Sequence, residues 1–145
     1  MATVLIIDDN EDISSLLKDY LVARGYFVHI ASEGTAGVEM ARKFHPDVIT
    51  MDFNMPGANG VEVYKELRQF PDTSIIPVIF LSSVLSGLIR RMVSVSPLVR
   101  FFKKPCELAD LEKMISELAA LPKQAPPPPL PDSIFKQSSA DDDTR

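Results

Sequence analysis

Cysteine is nearly absent from this sequence: Cys106 is the single one in 145 residues. A lone cysteine cannot form a disulfide within the chain, so we expect a reduced, cytoplasmic protein. Basic residues are also few, because 15 Lys and Arg are set against 20 Asp and Glu, which gives a formal net charge of −5 at pH 7. Nucleic-acid binding depends on clustered Lys and Arg that release counterions, so this charge argues against direct binding by the segment.

Long hydrophobic runs are missing as well. The apolar run 4–7 has no basic region before it and ends at Asp8 and Asp9, far short of a signal peptide or a membrane span. We therefore interpret it as a buried strand in a protein without a membrane segment. The 46% hydrophobic content over 145 residues supplies one ordinary core and not two. One domain with a tail is the prediction, and no internal repeat is evident.

Short β-branched apolar runs alternate with segments of helical periodicity along the chain. This alternation is typical of a parallel sheet covered by helices on both faces, and it predicts an α/β fold of the (βα)₅ type. The predicted strands are 4–7, 27–30, 48–51, 78–81 and 100–103. The first helix carries apolar side chains at helical spacing, and Gly25 closes it. The other predicted helices are 35–44, 61–70, 85–95 and 108–121, ended by Pro46, Pro71, Pro97 and Pro122.

The composition changes after Leu121, and this change predicts a domain over 1–121 followed by a tail or linker over 122–145. The tail contains four consecutive prolines at 126–129 and three consecutive aspartates at 141–143. Such a proline run favours an extended spacer, so we expect a proline-rich, acidic, disordered segment. A docking motif for an aromatic groove is the alternative interpretation.

Polar side chains of reactive types follow four of the five predicted strands. Asp8 and Asp9 follow the first strand and Asp52 follows the third. In a doubly wound sheet of order 2-1-3-4-5 these strands are neighbours, so we expect the three carboxylates to converge at one pocket. Carboxylates that close repel one another, and an all-oxygen pocket suits Mg²⁺ as the cation that relieves the repulsion.

Asp52, Ser82 and Lys104 then have complementary chemical roles. With its charge neutralised, the Asp52 carboxylate can attack phosphorus and form an acyl phosphate. The Ser82 hydroxyl can donate to a phosphoryl oxygen, and Lys104 supplies positive charge to the equatorial oxygens of the transition state.

Taken together, Asp8-Asp9, the stretch 52–60, Ser82-Ser83 and Lys104-Pro105 resemble a two-component response-regulator receiver domain, over about residues 2 to 121. The resemblance implies a flavodoxin-like fold and a signalling switch rather than an enzyme: a phosphoprotein of a phosphorelay whose Asp52 accepts a phosphoryl group from a histidine kinase or a phosphotransfer protein. It also implies a Mg²⁺ bound by Asp9, Asp52 and the backbone carbonyl of Asn54, with Asp8 acting through water.

The resemblance further implies how the signal leaves the site. Phosphorylation would draw Ser82 toward the phosphoryl group while Phe101 swings inward, and the face made by the fourth helix, the fifth strand and the fifth helix would change. The peptide bond before Pro105 is expected to be cis. Surplus apolar residues on and beside the fourth helix suggest a homodimer or effector surface there; they are Val84, Val93, Val95 and Leu98.

Each of these residues also has an ordinary structural interpretation. An Asp-Asp pair after a strand commonly caps a helix, Asp52 alone would be a turn residue, and Ser82 alone would be a cap. Phe101 can be core and switch at once, and it stands where the family more often has tyrosine. His29, His45 and Cys106 are interpreted as structural. The order and spacing of the whole set favour the functional interpretation.

Two other functions were weighed against a phosphoacceptor switch. A Mg²⁺-dependent aspartyl-phosphate phosphatase uses a similar nucleophile, but such enzymes resemble an Asp-x-Asp loop with a substrate-covering cap, and here Asp8-Asp9 stands with no room for a cap. A receiver-like binding module without phosphoryl chemistry is disfavoured by the intact Asp52, Ser82 and Lys104.

Overall fold

A computed structural model describes residues 2–53, 60–84 and 87–122 of the chain, apart from the side chains of 93–95. Five strands form one sheet. They are β1 (Thr3–Ile7), β2 (Phe27–Ala31), β3 (Val48–Asp52), β4 (Val78–Ser82) and β5 (Val99–Lys103). Each lies within one residue of its predicted bounds.

All strand pairs in the sheet are parallel, and the order is β2-β1-β3-β4-β5. The predicted flavodoxin-like, doubly wound α/β fold is therefore confirmed. Every residue of β3 and β4 is buried, as expected for central strands covered on both faces. The outer strands β2 and β5 are partly exposed.

Helices cover the two faces of the sheet. They are α1 (Glu11–Ala23), α2 (Gly34–Phe44), α3 (Gly60–Arg68), the single turn α4 (Pro71–Ser74), α5 (Gly87–Val95) and α6 (Leu108–Ala119). Buried side chains of α1 and α6 form one apolar cluster with the sheet, and those of α2, α3 and α5 form another with its opposite face. Among the described residues, no helix is long and apolar enough to cross a membrane.

The ends of α1 follow from its sequence. Asn10 caps the N-terminus, where its side-chain oxygen accepts a hydrogen bond of 3.1 Å from the Ile13 N–H. Gly25 follows the C-terminus with φ 95°, a left-handed conformation that glycine adopts without strain. The Asn10 side chain therefore fixes the start of α1, and Gly25 allows the chain to turn away at its end.

Two helix ends differ from the sequence prediction. The helix predicted over 61–70 ends at Arg68, because Phe70 is extended, as the residue before a proline prefers, and Pro71 then starts α4 rather than only ending α3. The last helix ends at Ala119 instead of 121. Residues 85 and 86 of the predicted fourth helix, and the tail from 123 onward, lie outside the described residues.

Candidate functional site

Three carboxylates meet at the carboxyl ends of the adjacent strands β1 and β3. Asp8 and Asp9 directly follow β1, and Asp52 is the last residue of β3. One carboxylate oxygen from each lies within 4.8 Å of the others. The convergence that the strand order predicts is therefore present in the structure.

Asp8 is the most buried of the three, with 3% of its surface exposed. Its Oδ1 accepts a hydrogen bond of 2.9 Å from the Asn10 N–H, which favours the charged form. Burial nevertheless dominates and raises the pKa of the Asp8 carboxyl above its usual value, and the negative charges of Asp52 and Asp9 act in the same direction. The charged form of Asp8 is therefore disfavoured, and a cation bound beside the three carboxylates would stabilise it.

Lys104 contributes the positive charge nearest to Asp52 that the structure records. It follows β5, and its Nζ lies 3.4 Å from Asp52 Oδ1. The peptide bond between Lys104 and Pro105 is cis. Lys103, the lysine next to it in the chain, is exposed at the end of β5.

Ser82 ends β4, the strand between β3 and β5, and is 2% exposed. Its Oγ accepts a hydrogen bond of 3.2 Å from the Val84 N–H, and its carbonyl accepts one of 2.8 Å from the Lys104 N–H. The Ser82 carbonyl therefore holds the backbone of Lys104, whose side chain supplies the positive charge. The Ser82 residue therefore lies at the carboxyl ends of the strands, as the three carboxylates do.

Other residues singled out from the sequence fall in different places. Phe101 lies in β5 opposite Phe80 and is partly exposed. Asn54 lies outside the described residues. His29 stacks on Phe44, and His45 ends α2 in a left-handed conformation; neither belongs to the cluster formed by the three carboxylates.

Asn10 is the residue at this site that the sequence analysis did not single out. Its backbone N–H holds Asp8 and its side chain caps α1, so it fixes the first carboxylate and the helix start together. The signal was an Asp-Asp-Asn run just before an apolar periodic segment, which is typical of a helix N-terminus.

The arrangement fits a hard divalent cation. Asp8, Asp9 and Asp52 bring three negative charges against the one positive charge of Lys104, so the described groups carry an excess of two negative charges when ionised. Carboxylate oxygens are the ligands that Mg²⁺ prefers, with water completing its shell. Asp9 is exposed, so solvent reaches the site.

Comparisons with known proteins find similar chains. Protein PilH of Pseudomonas aeruginosa is 40% identical over 83 residues, 57% of this chain and 69% of that protein. The polar-differentiation response regulator DivK of Brucella ovis is 38% identical over 77 residues, 53% of this chain and 63% of that protein. The structure of the chemotaxis protein CheY4 of Vibrio cholerae superposes with a TM-score of 0.75 at 28% identity, covering 81% of this chain and 98% of that one.

The family model of the response regulator receiver domain matches residues 4–116, which include the strands, the three carboxylates, Ser82 and Lys104. Together with the parallel sheet of order 2-1-3-4-5, this match establishes that the chain belongs to the response-regulator receiver domain family of two-component signalling.

Proposed function

We propose that the protein is a phosphorylation-activated switch whose Asp52 accepts a phosphoryl group from a histidine kinase or a phosphotransfer protein. The observation that carries the proposal is the placement of Lys104 Nζ 3.4 Å from Asp52 Oδ1, at the edge of the sheet where Asp8 and Asp9 also lie. The match to the response regulator receiver domain and the relative DivK, named as a response regulator, support this proposal.

Asp52 is the nucleophile because its carboxylate lies beside the Lys104 ammonium group. It is 9% exposed, whereas Asp8 is 3% exposed. In the reaction an Asp52 oxygen forms a bond to phosphorus as the bond from phosphorus to the donor's leaving atom breaks. Lys104 lies where it can stabilise the charge on the equatorial oxygens during that exchange.

Asp9, Asp52 and the backbone carbonyl of Asn54 would hold Mg²⁺, and Asp8 would act on it through water. When bound, the ion would neutralise the charge of the carboxylates and of the incoming phosphoryl oxygens. The backbone N–H of Asn10 keeps the Asp8 carboxylate oriented toward this site. Asp9 is exposed, so the bound ion would exchange with solvent most easily on the side of this carboxylate.

Ser82 and Phe101 would transmit the event. The Ser82 Oγ now accepts from the Val84 N–H, and donating to a phosphoryl oxygen would move it together with the segment that follows β4. Phe101 lies opposite Phe80 in the β4–β5 pair and is partly exposed, and it would swing inward when the site is phosphorylated. The face of α5, β5 and α6 would then differ between the two states.

The partner surface is proposed on that face. Val84 is 48% exposed and Leu98 is partly exposed, which supports the expectation of surplus apolar surface there, while Ile89 and Met92 are fully buried in the core. Leu85 and the side chains of Val93 and Val95 lie outside the described residues. We propose that this face binds an effector or a second receiver in the cytoplasm, and that 122–145 serves as a linker.

Intact-mass spectrometry tests the proposal. Incubation with Mg²⁺ and acetyl phosphate should add the mass of one phosphoryl group, and the addition should vanish when EDTA replaces Mg²⁺. A protein that stays unmodified under both conditions would contradict the proposal. Rapid, multiple-turnover release of phosphate from many monoesters would instead indicate a phosphatase.

A further inference from the structure

The two edges of the sheet are protected to very different degrees. The edge strand β5 carries Arg100 and Lys103, charged residues of the kind that discourage pairing with another strand. The opposite edge strand, β2, has the sequence Phe-Val-His-Ile-Ala, without Lys, Arg, Asp, Glu or proline. The described part of the chain pairs β2 with β1 alone. One edge of the sheet is therefore open to another strand.

The side chains of β2 are exposed to an unusual degree for their type. Phe27 is 59% exposed, and the next three residues of the strand are partly exposed. His29 stacks on Phe44, itself 39% exposed, with ring centroids 4.0 Å apart and an angle of 10° between the planes. These aromatic rings extend the apolar edge onto the neighbouring face of α2.

The hydrogen bonds to β1 show which backbone groups of β2 point outward. The Phe27 N–H donates to the Ala2 carbonyl, and the Ala31 carbonyl accepts from the Asp8 N–H, both at 3.0 Å. In a parallel strand the residues between these, at alternate positions, direct both backbone groups away from the neighbour. The N–H and C=O of Val28 and Ile30 therefore face the open edge.

We propose that this edge is a dimerisation surface: β2 of one copy pairs in antiparallel fashion with β2 of a second copy, joining the two sheets. A two-fold axis at His29 places Val28 opposite Ile30 of the other copy, where each pair exchanges both N–H···O=C bonds. The N–H and C=O groups of Val28 and Ile30 are thereby hydrogen-bonded on both strands.

Side-chain complementarity selects the second copy as the occupant. In this register two β-branched side chains face each other at the Val28–Ile30 pairs, and the strand has no Lys, Arg, Asp or Glu, so pairing with a second copy opposes no like charges of these residues. The surface is self-complementary, as a two-fold interface requires.

The dimer would leave the phosphoacceptor site and the face of α5, β5 and α6 free, because β2 and β5 are opposite edges of the sheet. Pairing through β2 would also be independent of phosphorylation, since none of the groups it uses belongs to the carboxylate site. It therefore differs from any association that phosphorylation drives through the other edge.

Sedimentation velocity of the full chain at several concentrations tests the dimer. Val28→Pro removes an outward donor without breaking the ladder to β1, and Phe27→Lys puts a charge on an exposed position. Each should raise the dissociation constant by at least about tenfold, equivalent to about 1.4 kcal/mol. The matched control Leu16→Lys, at a position 60% exposed on α1, should leave it unchanged. A monomer at every concentration, or a dimer insensitive to both β2 variants, would overturn the proposal.

A cysteine placed on the proposed axis tests the register. Directly opposed residues of a non-hydrogen-bonded pair have Cα atoms about 4.5 Å apart, within the range of about 4.4 to 6.8 Å that a disulfide spans. His29→Cys in a Cys106→Ser background should therefore form a disulfide-linked dimer with oxidised glutathione. The Cys106→Ser protein is the control. If the Val28→Pro-sensitive dimer fails to cross-link, the axis at His29 is wrong.

Discussion

The Lys104 ammonium nitrogen lies 3.4 Å from an Asp52 carboxylate oxygen, although their strands are not neighbours: β4 lies between β3 and β5. The lysine side chain therefore reaches past the end of β4, where the Lys104 N–H is held by the Ser82 carbonyl at 2.8 Å. Through these two contacts Lys104 connects the proposed nucleophile Asp52, the proposed hydroxyl donor Ser82 and the strand β5, whose face is proposed to carry the signal.

Replacing the lysine should slow phosphoryl transfer to Asp52. We expect Lys104→Met to reduce the rate of labelling by acetyl phosphate about a hundredfold, because a preorganised charge at the transition state is lost. Intact-mass spectrometry over time measures the rate. Lys103→Met is the matched control, since Lys103 is exposed at the adjacent position, and it should label at the normal rate. Equal slowing in both variants would contradict the assignment.

Magnesium should stabilise the folded chain in a way that depends on the carboxylates. At a concentration about 100 times its dissociation constant, a ligand that binds only the native state adds about 2.7 kcal/mol to the free energy of unfolding. We expect Asp9→Asn to lose most of this gain in urea denaturation with and without Mg²⁺. Asp12→Asn, an exposed acidic residue in the first turn of α1, should retain it. Loss in neither variant would remove Asp9 from the ligand set.

Two buried threonines should respond oppositely to the same substitution. Thr50 in β3 is fully buried, and its hydroxyl has no hydrogen-bond partner among the described residues, whereas the Thr73 hydroxyl donates to the Leu67 carbonyl at 2.6 Å. Thr50→Val should raise the free energy of unfolding by about 1 kcal/mol, and Thr73→Val should lower it by about as much. Urea denaturation measures both. A loss of stability in Thr50→Val would show that the hydroxyl is satisfied.

Removing the Ser82 hydroxyl should separate phosphorylation from its consequence. Ser82→Ala keeps Asp52 and Lys104, so the acetyl phosphate label should still appear, while the amide chemical shifts of β5 should change less on labelling than they do in the unmodified sequence. Ser83→Ala, at the exposed neighbouring position, is the control and should respond fully. Undiminished shifts in Ser82→Ala would exclude the hydroxyl from the switch.

The sequence predicted the strands and their order well because their signals are local and strong. Val48 to Met51 and Val78 to Leu81 are continuous apolar runs, and such runs indicate strands buried on both faces. The convergence of Asp8 and Asp52 followed from strand order alone, since the carboxyl ends of neighbouring parallel strands share one edge.

Other features depend on three-dimensional contacts that no local pattern encodes. Pro71 marked the end of a helix, but whether a new turn would begin there depended on how the chain returns to β4. Leu16 fits the apolar periodicity of α1 and is still 60% exposed, because periodicity identifies a stripe without showing its limits. The missing partner of Thr50 likewise became visible only when the neighbours of β3 were placed.

Identifying the modified residue tests the central claim most directly. The protein labelled with acetyl phosphate and Mg²⁺ is reduced with borohydride, which converts an aspartyl phosphate to homoserine, and is then digested and sequenced by mass spectrometry. The account predicts homoserine at position 52 and unmodified aspartates at positions 8 and 9. Homoserine at position 8 or 9, or labelling that survives in Asp52→Ala, would contradict it.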